Sequence, residues 1–399
     1  MNIGITFGGY CPLHQGHLDL IMKAKKENDL CYVFVCGYDN DRGGSYLPLQ
    51  KRYRLIKDFL SSENVIVCKI DDTVLGLDES MSENNWRVWI EEVYRNIPNY
   101  KEHKLNWYVA EKQYSQSILN ASCGVNASVY LCDRTINNVS GTKCRSNPLK
   151  YWNKITMPFR PYYSHNILIT GTASEGKTTL VQDIGKYFNI PYSYEKGRDN
   201  CALKTDPEFD VEDFIYNLYE QQKYNRELIH SPQNNGVFIS DTDNLVTLMY
   251  AYGYHGRDGF ALKKEDYDVL FKLTTAYASK TKWDKIFLIK PRPIDIVDDG
   301  ERYMPDSDYA IRYRYYEFLK NAYEYFGYEY EELDGDYYSN FLRVKNYIDE
   351  LYSGHWIRIF NQFPKRYECS ECGYGDVGEF AFCHCCGTKM KRGEKYDCF

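Results

Sequence analysis

Residues 4–17 read GITFGGYCPLHQGH, and residues 171–180 read GTASEGKTTL. A short apolar strand leads into each stretch, residues 3–7 in the first and residues 167–169 before the second. Each stretch then turns at glycines and continues into a helix, which is how α/β domains offer a helix N-terminus to phosphate. The first stretch predicts a turn at Gly8 and Gly9 and a helix that begins near Gly16. Two such stretches predict two consecutive α/β domains, each with its own phosphate-binding site.

The first stretch carries two histidines, His14 and His17, in the His-x-Gly-His arrangement of nucleotidyltransferases. Imidazoles at a helix N-terminus suit binding of a triphosphate and stabilisation of charge while its α-phosphorus is attacked. Positioning and electrostatics are sufficient for this chemistry, without a covalent intermediate. Later in the same predicted domain the chain reads SGTKCR, where Ser140, Thr142 and Arg145 would complete a clamp on the outer phosphates.

The second stretch matches the P-loop pattern G-x-x-x-x-G-K-[ST] in full. Its predicted ATP-binding residues are Gly171, Gly176, Lys177, Thr178 and Thr179. Lys177 would span the β- and γ-phosphates, and Thr178 would hold Mg²⁺. Further along, Asp241 and Asp243 follow the apolar run GVFIS. They would either orient magnesium and accept a proton from a substrate hydroxyl, or form a solvated acidic pair.

Composition excludes several classes of protein. The 399 residues carry a net charge of −7, which argues against a general nucleic-acid surface. No apolar run approaches the ~18 residues of a membrane span, and the N-terminal residues lack a basic signal region, so we expect a cytoplasmic protein. Of the 14 cysteines, eight are scattered between positions 11 and 201 and six lie in the last 31 residues. This distribution predicts reduced thiols and one metal site.

Strand and helix patterns alternate from residue 31 to 132, which predicts a doubly wound parallel sheet of the Rossmann-like α/β class. A second alternation begins with the P-loop strand and ends near residue 353. The predicted domains are a nucleotidyltransferase over 1–162, a P-loop kinase over 163–353 and a small zinc ribbon over 364–399.

The zinc prediction rests on two C-x₂-C pairs separated by ten residues. The predicted ligands are Cys369, Cys372, Cys383 and Cys386. A segment this short cannot bury enough apolar surface to fold alone, so a structural Zn²⁺ is expected to stabilise it. His384 and Cys385 are predicted bystanders, because they would break the ligand spacing. We expect the ribbon to dock to a second copy of the chain or to a protein partner.

Two tryptophans in the segment ENNWRVW, Trp86 and Trp89, have two interpretations. An indole here would stack on a flat heteroaromatic ring, or both indoles would pack into the core. The residues alone do not decide between them.

In the order and the residues of these motifs, the chain resembles the bifunctional nicotinamide-mononucleotide (NMN) adenylyltransferase and ribosylnicotinamide kinase family, NadR, in the form without the N-terminal repressor domain. The resemblance runs from about residue 3 to 350. Besides the two nucleotide motifs it rests on ENNWRVW, DRTINNVSGTKCRSNPLKYW, RPYY, YEKGRD, SDTD and VDDGER. It implies that the first half joins NMN to the α-phosphate of ATP, giving NAD and pyrophosphate. It also implies that the second half phosphorylates nicotinamide riboside to NMN with ATP and Mg²⁺.

Further site residues follow from the resemblance. Those implied to bind NMN or the riboside are Trp86, Trp89, Glu195 and Arg198. Asp241 is implied to lie at the riboside end as the carboxylate that orients the hydroxyl, and Arg302 to be a lid arginine that contacts ATP.

The chain departs from the family pattern at two glycine-rich positions. Relatives usually carry a basic residue where this chain has Gly9, so either this phosphate contact is missing or another residue supplies it, with Arg52 and Arg54 as candidates. The P-loop has Glu175 where serine is common, and its side chain is expected to point to solvent.

Two other functions are compatible with the two nucleotide motifs. A coenzyme A synthase also joins a His-x-Gly-His adenylyltransferase to a P-loop kinase, but the ENNWRVW and SDTD segments argue against it. The other rival is a regulatory NAD or ATP sensor whose zinc ribbon binds nucleic acid or protein. The intact His14, His17, Lys177 and Thr178 argue against loss of catalysis.

Overall fold

The computed structural model describes most of the chain, namely residues 1–41, 43–77, 82–133, 138–201, 204–294, 296, 303–359, 366–372, 374–376, 378, 380–386 and 388–391, without the side chains of 200, 201, 355–359 and 366. The chain forms two compact units, Met1–Tyr163 and Ser164–Phe399. The sequence places this division near residue 162.

The first unit alternates strands and helices. In chain order they are β1 (Asn2–Gly8), α1 (Gln15–Glu27), β2 (Leu30–Gly37), α2 (Leu49–Leu60), β3 (Val65–Asp71), α3 (Glu83–Arg95), β4 (Lys104–Val109), α4 (Lys112–Ala121), β5 (Ala127–Leu131) and α5 (Gly141–Ser146). The five strands form one parallel sheet in the order β3-β2-β1-β4-β5. This confirms the predicted doubly wound sheet.

The sheet order explains where the first site forms. Strand β2 reads LCYVFVCG and is buried almost throughout, as expected of a strand covered on both faces by helices. Strand β1 lies in the middle of the sheet, with β2 on one side and β4 on the other. The loop after β1 therefore opens at the switch point of the sheet, where ligands of such folds bind.

The second unit repeats this layout with more helices. In chain order its elements are β6 (His165–Gly171), α6 (Lys177–Phe188), β7 (Tyr192–Ser193), α7 (Gly197–Cys201), α8 (Val211–His230), β8 (Val237–Ser240), α9 (Asn244–Tyr254), α10 (Asp266–Ala278), β9 (Lys285–Ile289), α11 (Tyr309–Tyr325), β10 (Glu331–Leu333) and α12 (Tyr337–Leu351). Its parallel sheet has the order β10-β9-β6-β8-β7. The P-loop follows β6, which lies between β8 and β9 at the switch point.

A third sheet, with four strands, follows α12 in the chain. It consists of β11 (Gly354–Ile359), β12 (Arg366–Cys369), β13 (Gly375–Asp376) and β14 (Met390–Lys391), in the order β13-β12-β11-β14. Strand β11 pairs antiparallel with β12 and parallel with β14. The strand Gly354–Ile359 thus belongs to the ribbon sheet although it precedes the range 364–399 expected from the sequence.

Helices long and apolar enough to cross a bilayer are absent from the part of the chain that the structure describes.

Candidate active sites

The loop after β1 turns tightly and delivers the two predicted histidines to the start of α1. A Cβ on Gly9 would lie 2.7 Å from the Tyr46 ring, so a larger residue here would require that ring to move. The carbonyl of His14 accepts hydrogen bonds from the amides of His17 and Leu18 at 2.9 and 3.1 Å, which begins the helix. The two imidazoles stack with their centroids 3.7 Å apart. His14 and His17 therefore lie together at the helix N-terminus.

The segment SGTKCR forms α5 with Ser140 as its N-cap. The Ser140 hydroxyl accepts a hydrogen bond from the amide of Lys143 at 3.2 Å. Arg145 donates to the carbonyl of Cys11 at 2.6 Å and to the hydroxyl of Thr142 at 3.3 Å. Because Cys11 belongs to the histidine loop, the fold brings Thr142 and Arg145 to the same place as the histidines.

The structure contradicts the expectation that Arg52 supplies a phosphate contact. Arg52 is fully buried and donates to the carbonyls of Leu47, Gly9 and Cys36 at 2.8, 2.5 and 2.8 Å. A guanidinium that satisfies three backbone carbonyls holds the loops in place and is not available to a ligand. Arg54 is exposed on α2.

Trp86 and Trp89 pack into an aromatic cluster. Each is only 8% exposed. The Trp89 ring lies 4.9 Å from Phe7, and the Trp86 ring lies 5.4 Å from Tyr114, between centroids. Core packing therefore covers most of the surface of both indoles. A role of their small exposed surface in NMN binding stays a prediction.

Asp72, directly after β3, is a site candidate that sequence reasoning missed. The pKa of Asp72 is raised to about 6 by burial, first of all, and by the charges of Asp41 and Asp71, although a hydrogen bond from the Trp89 indole and the charge of Arg52 oppose this rise. A carboxyl next to the tryptophan cluster at the carboxyl edge of the sheet is positioned to accept a hydrogen bond from a ligand. The two adjacent aspartates at a strand end were the available signal.

The P-loop of the second unit has the predicted form. Gly171 ends β6, and Gly176 adopts a positive φ of 80° before α6 begins. Lys177 is buried and donates to the carbonyl of Thr172 at 2.7 Å, which points its ammonium group back over the loop. Thr179 is exposed on the first turn of α6.

Asp241 is fully buried at the end of β8 and accepts a 2.5 Å hydrogen bond from the Thr178 hydroxyl. Burial raises its pKa to about 6. The charges of Lys177 and Arg198 and the bond from Thr178 favour the ionised form, whereas Glu195 opposes it. A carboxylate that titrates close to neutrality beside a P-loop hydroxyl is typical of a functional site.

Asp243 has a structural role. Its Oδ1 accepts hydrogen bonds from the amides of Leu245 and Val246 at 3.1 and 3.3 Å, capping α9, and from the Tyr323 hydroxyl at 3.1 Å. Asp241 and Asp243 are both buried, so the interpretation as a solvated acidic pair is wrong.

A cavity opens beside the P-loop between α7, α8, α9 and α11. Its lining includes Glu195 and Arg198, which form an ion pair of 3.6 Å. Its aromatic lining residues are Phe209, Phe214, Tyr250, Tyr254, Tyr303 and Tyr315. An aromatic cavity with a few charged groups is typical of a site for a small ligand. The predicted lid arginine, Arg302, lies outside the described residues.

Two aspartates fix the aromatic lining of this cavity, and sequence reasoning found neither. Asp206 accepts hydrogen bonds from the Tyr254 hydroxyl and from the amide of Tyr303, at 2.9 and 3.0 Å. Asp306 accepts from the Tyr315 hydroxyl at 2.8 Å and pairs with Arg257 at the same distance. Three of these four contacts join residues 48 to 97 positions apart, so no local pattern predicts them.

Glu175 does not point to solvent, contrary to the expectation. Its side chain is fully buried and forms an ion pair with Arg312, while its Oε2 lies 3.7 Å from Nε of Arg292. The physical reason is that α11 places a buried guanidinium against the P-loop.

The four predicted zinc ligands come together. Their Sγ atoms lie within 4.8 Å of one another. The Sγ of Cys369 is 3.8 Å from that of Cys386, and the Sγ of Cys372 is 3.6 Å from that of Cys383. Four sulfurs about 2.3 Å from one tetrahedral zinc would stand roughly 3.8 Å apart, so the cluster fits zinc.

The predicted bystanders lie outside this cluster. Nδ1 of His384 lies 3.1 Å from a carboxylate oxygen of Asp376, and Cys385 is exposed. Neither belongs to the group of side chains that could hold a metal.

Family comparisons match both α/β units. A cytidylyltransferase-like model matches residues 5–147, and an AAA domain model matches residues 166–339. The trifunctional NAD biosynthesis/regulator protein NadR of Salmonella typhimurium is 26% identical over 297 residues, which are 71% of this chain and 70% of that protein. The crystal structure of NadR in complex with NAD and AMP-PNP is 30% identical with a TM-score of 0.75, covering 88% of this chain and 96% of that one. The chain belongs to the NadR family.

A second NadR structure, in complex with NR, matches equally well. It is 29% identical with a TM-score of 0.76, and again covers 88% of this chain and 96% of that one. Both α/β units therefore follow the fold of NadR, in the order of a nucleotidyltransferase-like unit and then a P-loop unit.

Proposed function

We propose that the chain makes NAD from nicotinamide riboside in two ATP-dependent transfers, one in each α/β unit. One observation carries the proposal: both units have the predicted phosphate-binding motif at the switch point of a parallel sheet, within a fold that matches 96% of NadR bound to NR or to NAD and AMP-PNP. The chain is accordingly an enzyme with adenylyltransferase and kinase activities.

In the first unit, an oxygen of the NMN 5′-phosphate attacks the α-phosphorus of ATP, the α–β bridging bond breaks and pyrophosphate leaves. His14, His17 and Arg145 stand where they would stabilise the negative charge that grows on the phosphates. Ser140 and Thr142, at the start of α5, would add hydrogen bonds to the outer phosphates. The backbone of Gly8 would lie against the nucleotide.

The nicotinamide of NMN would lie against the exposed edges of Trp86 and Trp89. Asp72 adjoins this cluster through the Trp89 indole. Its buried Oδ1 accepts no hydrogen bond from any residue that the structure describes. A carboxamide N–H₂ group is a donor that would satisfy this oxygen.

In the second unit, the 5′-hydroxyl oxygen of the riboside attacks the γ-phosphorus of ATP, the β–γ bridging bond breaks and ADP leaves. Lys177 and the P-loop amides would bind the phosphates, and Gly171, Gly176 and Thr179 shape or border that loop. Asp241 would orient the hydroxyl and accept its proton, and Glu195, which lines the cavity, would bind the riboside. Arg198, its ion-pair partner, would orient it, and Arg302 would act from the lid.

Magnesium fits the residues at the P-loop. The Thr178 hydroxyl and the Asp241 carboxylate are oxygen donors of the kind that Mg²⁺ prefers. Oδ1 of Asp241 is buried and accepts no hydrogen bond within the described part of the chain, which leaves it for a metal-bound water or the riboside hydroxyl. Bound Mg²⁺ would neutralise charge on the transferred phosphoryl group. Asp241 would keep Thr178 in place for it.

The cysteine cluster would hold one structural Zn²⁺. Four thiolates complete a tetrahedral shell and leave no position for water, which marks a structural site. We expect the ribbon to bind a second copy of the chain or a protein partner, and to take no part in either reaction.

The direct test is incubation of the full chain with nicotinamide riboside, ATP and Mg²⁺, with every product identified by mass spectrometry. The expected products are NMN, NAD, ADP and pyrophosphate. Phosphopantetheine in place of the riboside is the control for a coenzyme A-type activity and should stay unchanged. NMN that accumulates without NAD would refute the first-unit activity, and an unchanged riboside would refute the kinase.

A further inference from the structure

Glu175 places a negative charge inside the P-loop, one residue before Gly176 and Lys177. Its side chain has no exposed surface. Nη1 of Arg312 donates to Oε1 of Glu175, and Nε of Arg292 lies 3.7 Å from Oε2. A carboxylate within a loop that binds a triphosphate would repel the ligand unless a cation compensates it.

Arg312 connects this carboxylate to two further segments. It is 1% exposed on α11. Its Nε donates to the carbonyl of Ser307 at 2.9 Å, and its Nη2 donates to the carbonyls of Arg292 and Ile294 at 3.0 and 2.9 Å. These carbonyls lie before and after the segment that contains the predicted lid arginine. The Arg312 guanidinium therefore connects the P-loop to the backbone of Arg292, Ile294 and Ser307.

The charges that face Glu175 are those of Arg312, Arg292 and Lys177. Burial raises the pKa of Glu175, and these three cations lower it, Arg312 most strongly. Arg292 is 44% exposed, so solvent screens its contribution. Arg312 is thus the main group that compensates the buried carboxylate.

We propose that Arg312 is a positioning residue of the kinase site. It neutralises Glu175 so that the P-loop accepts ATP, and it connects that loop to the carbonyls of Arg292, Ile294 and Ser307. The proposal rests on the kinase activity proposed above. Arg312 acts through Glu175 and the backbone, so its loss should weaken ATP binding. Glu175, conversely, opposes ATP binding through its charge.

The test compares Arg312→Met, Glu175→Gln and the double variant in the riboside kinase assay. Arg312→Met should raise the KM for ATP by about tenfold or more, because it leaves a buried carboxylate uncompensated. Glu175→Gln should lower the KM for ATP, and the double variant should return to within a few-fold of the wild-type value. Arg314→Met, exposed on the same helix, is the matched control.

Opposite signs for the two single variants distinguish charge compensation from a structural role. If both raised the KM for ATP, or if the double variant were as poor as Arg312→Met, the proposal would be wrong. Because Arg312 also borders the riboside cavity, a rise confined to the KM for the riboside would equally overturn it. NMN adenylylation, measured on the same samples, should stay unchanged and reports the folded state of the first unit. If the wild-type chain had no riboside kinase activity, that result would instead refute the proposed function.

The KM of Arg312→Met for ATP, measured over a pH series, gives a second readout that does not depend on the comparison at a single pH. Glu175 loses its charge as the pH falls, so the KM defect of Arg312→Met should shrink from pH 8 to pH 6. The double variant carries no carboxylate at this position and should show no such dependence. A defect that is independent of pH would contradict the electrostatic account.

Discussion

The hydroxyl of Thr178 donates a 2.5 Å hydrogen bond to Oδ2 of Asp241, which joins the first turn of α6 to the end of β8. The two residues are 63 positions apart. The bond connects the predicted magnesium ligand of the P-loop to a fully buried carboxylate. The protonation state of Asp241 should therefore affect the kinase reaction.

Kinase activity should fall as the pH drops through about 6. Burial raises the pKa of Asp241 to about 6, so the side chain loses its charge below that pH and no longer supports a magnesium site. The measurement is kcat/KM for the riboside against pH, which reports groups of the free enzyme. Asp241→Asn should lose about 10² to 10³ in rate and lack this acid limb. A wild-type profile that is flat between pH 5 and 8 would contradict the assignment.

The same carboxylate should reduce the stability of the ligand-free enzyme. Its folded-state pKa lies above the unfolded value of about 3.9, so the unfavourable contribution is fully present above about pH 6 and disappears as the pH falls below the unfolded pKa. Asp241→Asn should therefore raise the Tm at pH 8 while it lowers the kinase rate by about 10² to 10³. The control is the comparison at pH 3, where the Asp241 side chain is mostly protonated in both the folded and the unfolded state and the two chains should differ little in Tm.

The two activities should be separable by mutation. Lys177→Ala should remove riboside phosphorylation and leave NMN adenylylation, and His17→Ala should do the reverse. Loss of one preorganised charge-stabilising group costs about 10² to 10³ in rate. Each variant is assayed with supplied NMN and with supplied riboside. If Lys177→Ala abolished NAD formation from supplied NMN, two independent sites would be ruled out.

Local signals predicted the elements that carry phosphate chemistry. The strands before both glycine turns, the helices after them and the parallel sheet follow from short apolar runs and glycine positions, and the structure places them within a few residues of the expected bounds. The helix Asn244–Tyr254 had no such signal, because its sequence NLVTLMYAYGY is apolar almost all round and most of it is buried. A sequence without polar–apolar periodicity does not distinguish a buried helix from a buried strand.

Contacts between distant residues explain the remaining differences. Glu175 was expected in solvent because nothing near it in sequence is basic except Lys177, and its partner Arg312 lies 137 residues away. Arg52 looked like a phosphate ligand, but the carbonyl of Gly9, 43 residues away, is one of its partners. Composition and motifs identify residue types suited to a site, whereas tertiary packing decides which of them remain available.

Arg52→Met should destabilise the first unit strongly. The change leaves the carbonyls of Leu47, Gly9 and Cys36 without their donor, and each buried unsatisfied group costs about 1–3 kcal/mol. Urea unfolding followed by tryptophan fluorescence should show a large drop in midpoint. Arg54→Met, two residues away and exposed, is the matched control and should unfold like the wild type. Equal midpoints for the two variants would disprove the structural role of Arg52.

Trp86→Phe should raise the KM for NMN more than the KM for ATP. Phenylalanine keeps most of the packing against Tyr114 and Trp89 but reduces the stacking surface, which contributes ~0.5 to 1.5 kcal/mol to an aromatic ligand. Val93→Ala, buried on the same helix, is the control: it should lower stability without a selective effect on NMN. Parallel changes in both KM values for Trp86→Phe would show that Trp86 serves the core alone.

Zinc should bind through Cys386 and not through its neighbour Cys385. Both thiols are exposed in the ribbon, but only Cys386 belongs to the cluster of four sulfurs. Cys386→Ser should lower the zinc content measured by elemental analysis, and Cys385→Ser should keep one zinc per chain. The two variants differ by one position and share the same chemistry, so a loss of zinc from both would refute the ligand set.

Removal of the ribbon should leave both reactions intact. A chain that ends at Ser353 loses β11 together with the cysteine cluster, because the strand Gly354–Ile359 pairs with β12 and β14. Four thiolates close the metal shell, so the zinc has no position for a reacting water and neither transfer depends on it. Both specific activities should stay within a few-fold of the full chain, and zinc should be absent. Loss of adenylylation or of riboside phosphorylation in a truncated chain that remains folded would mean that the ribbon completes that active site.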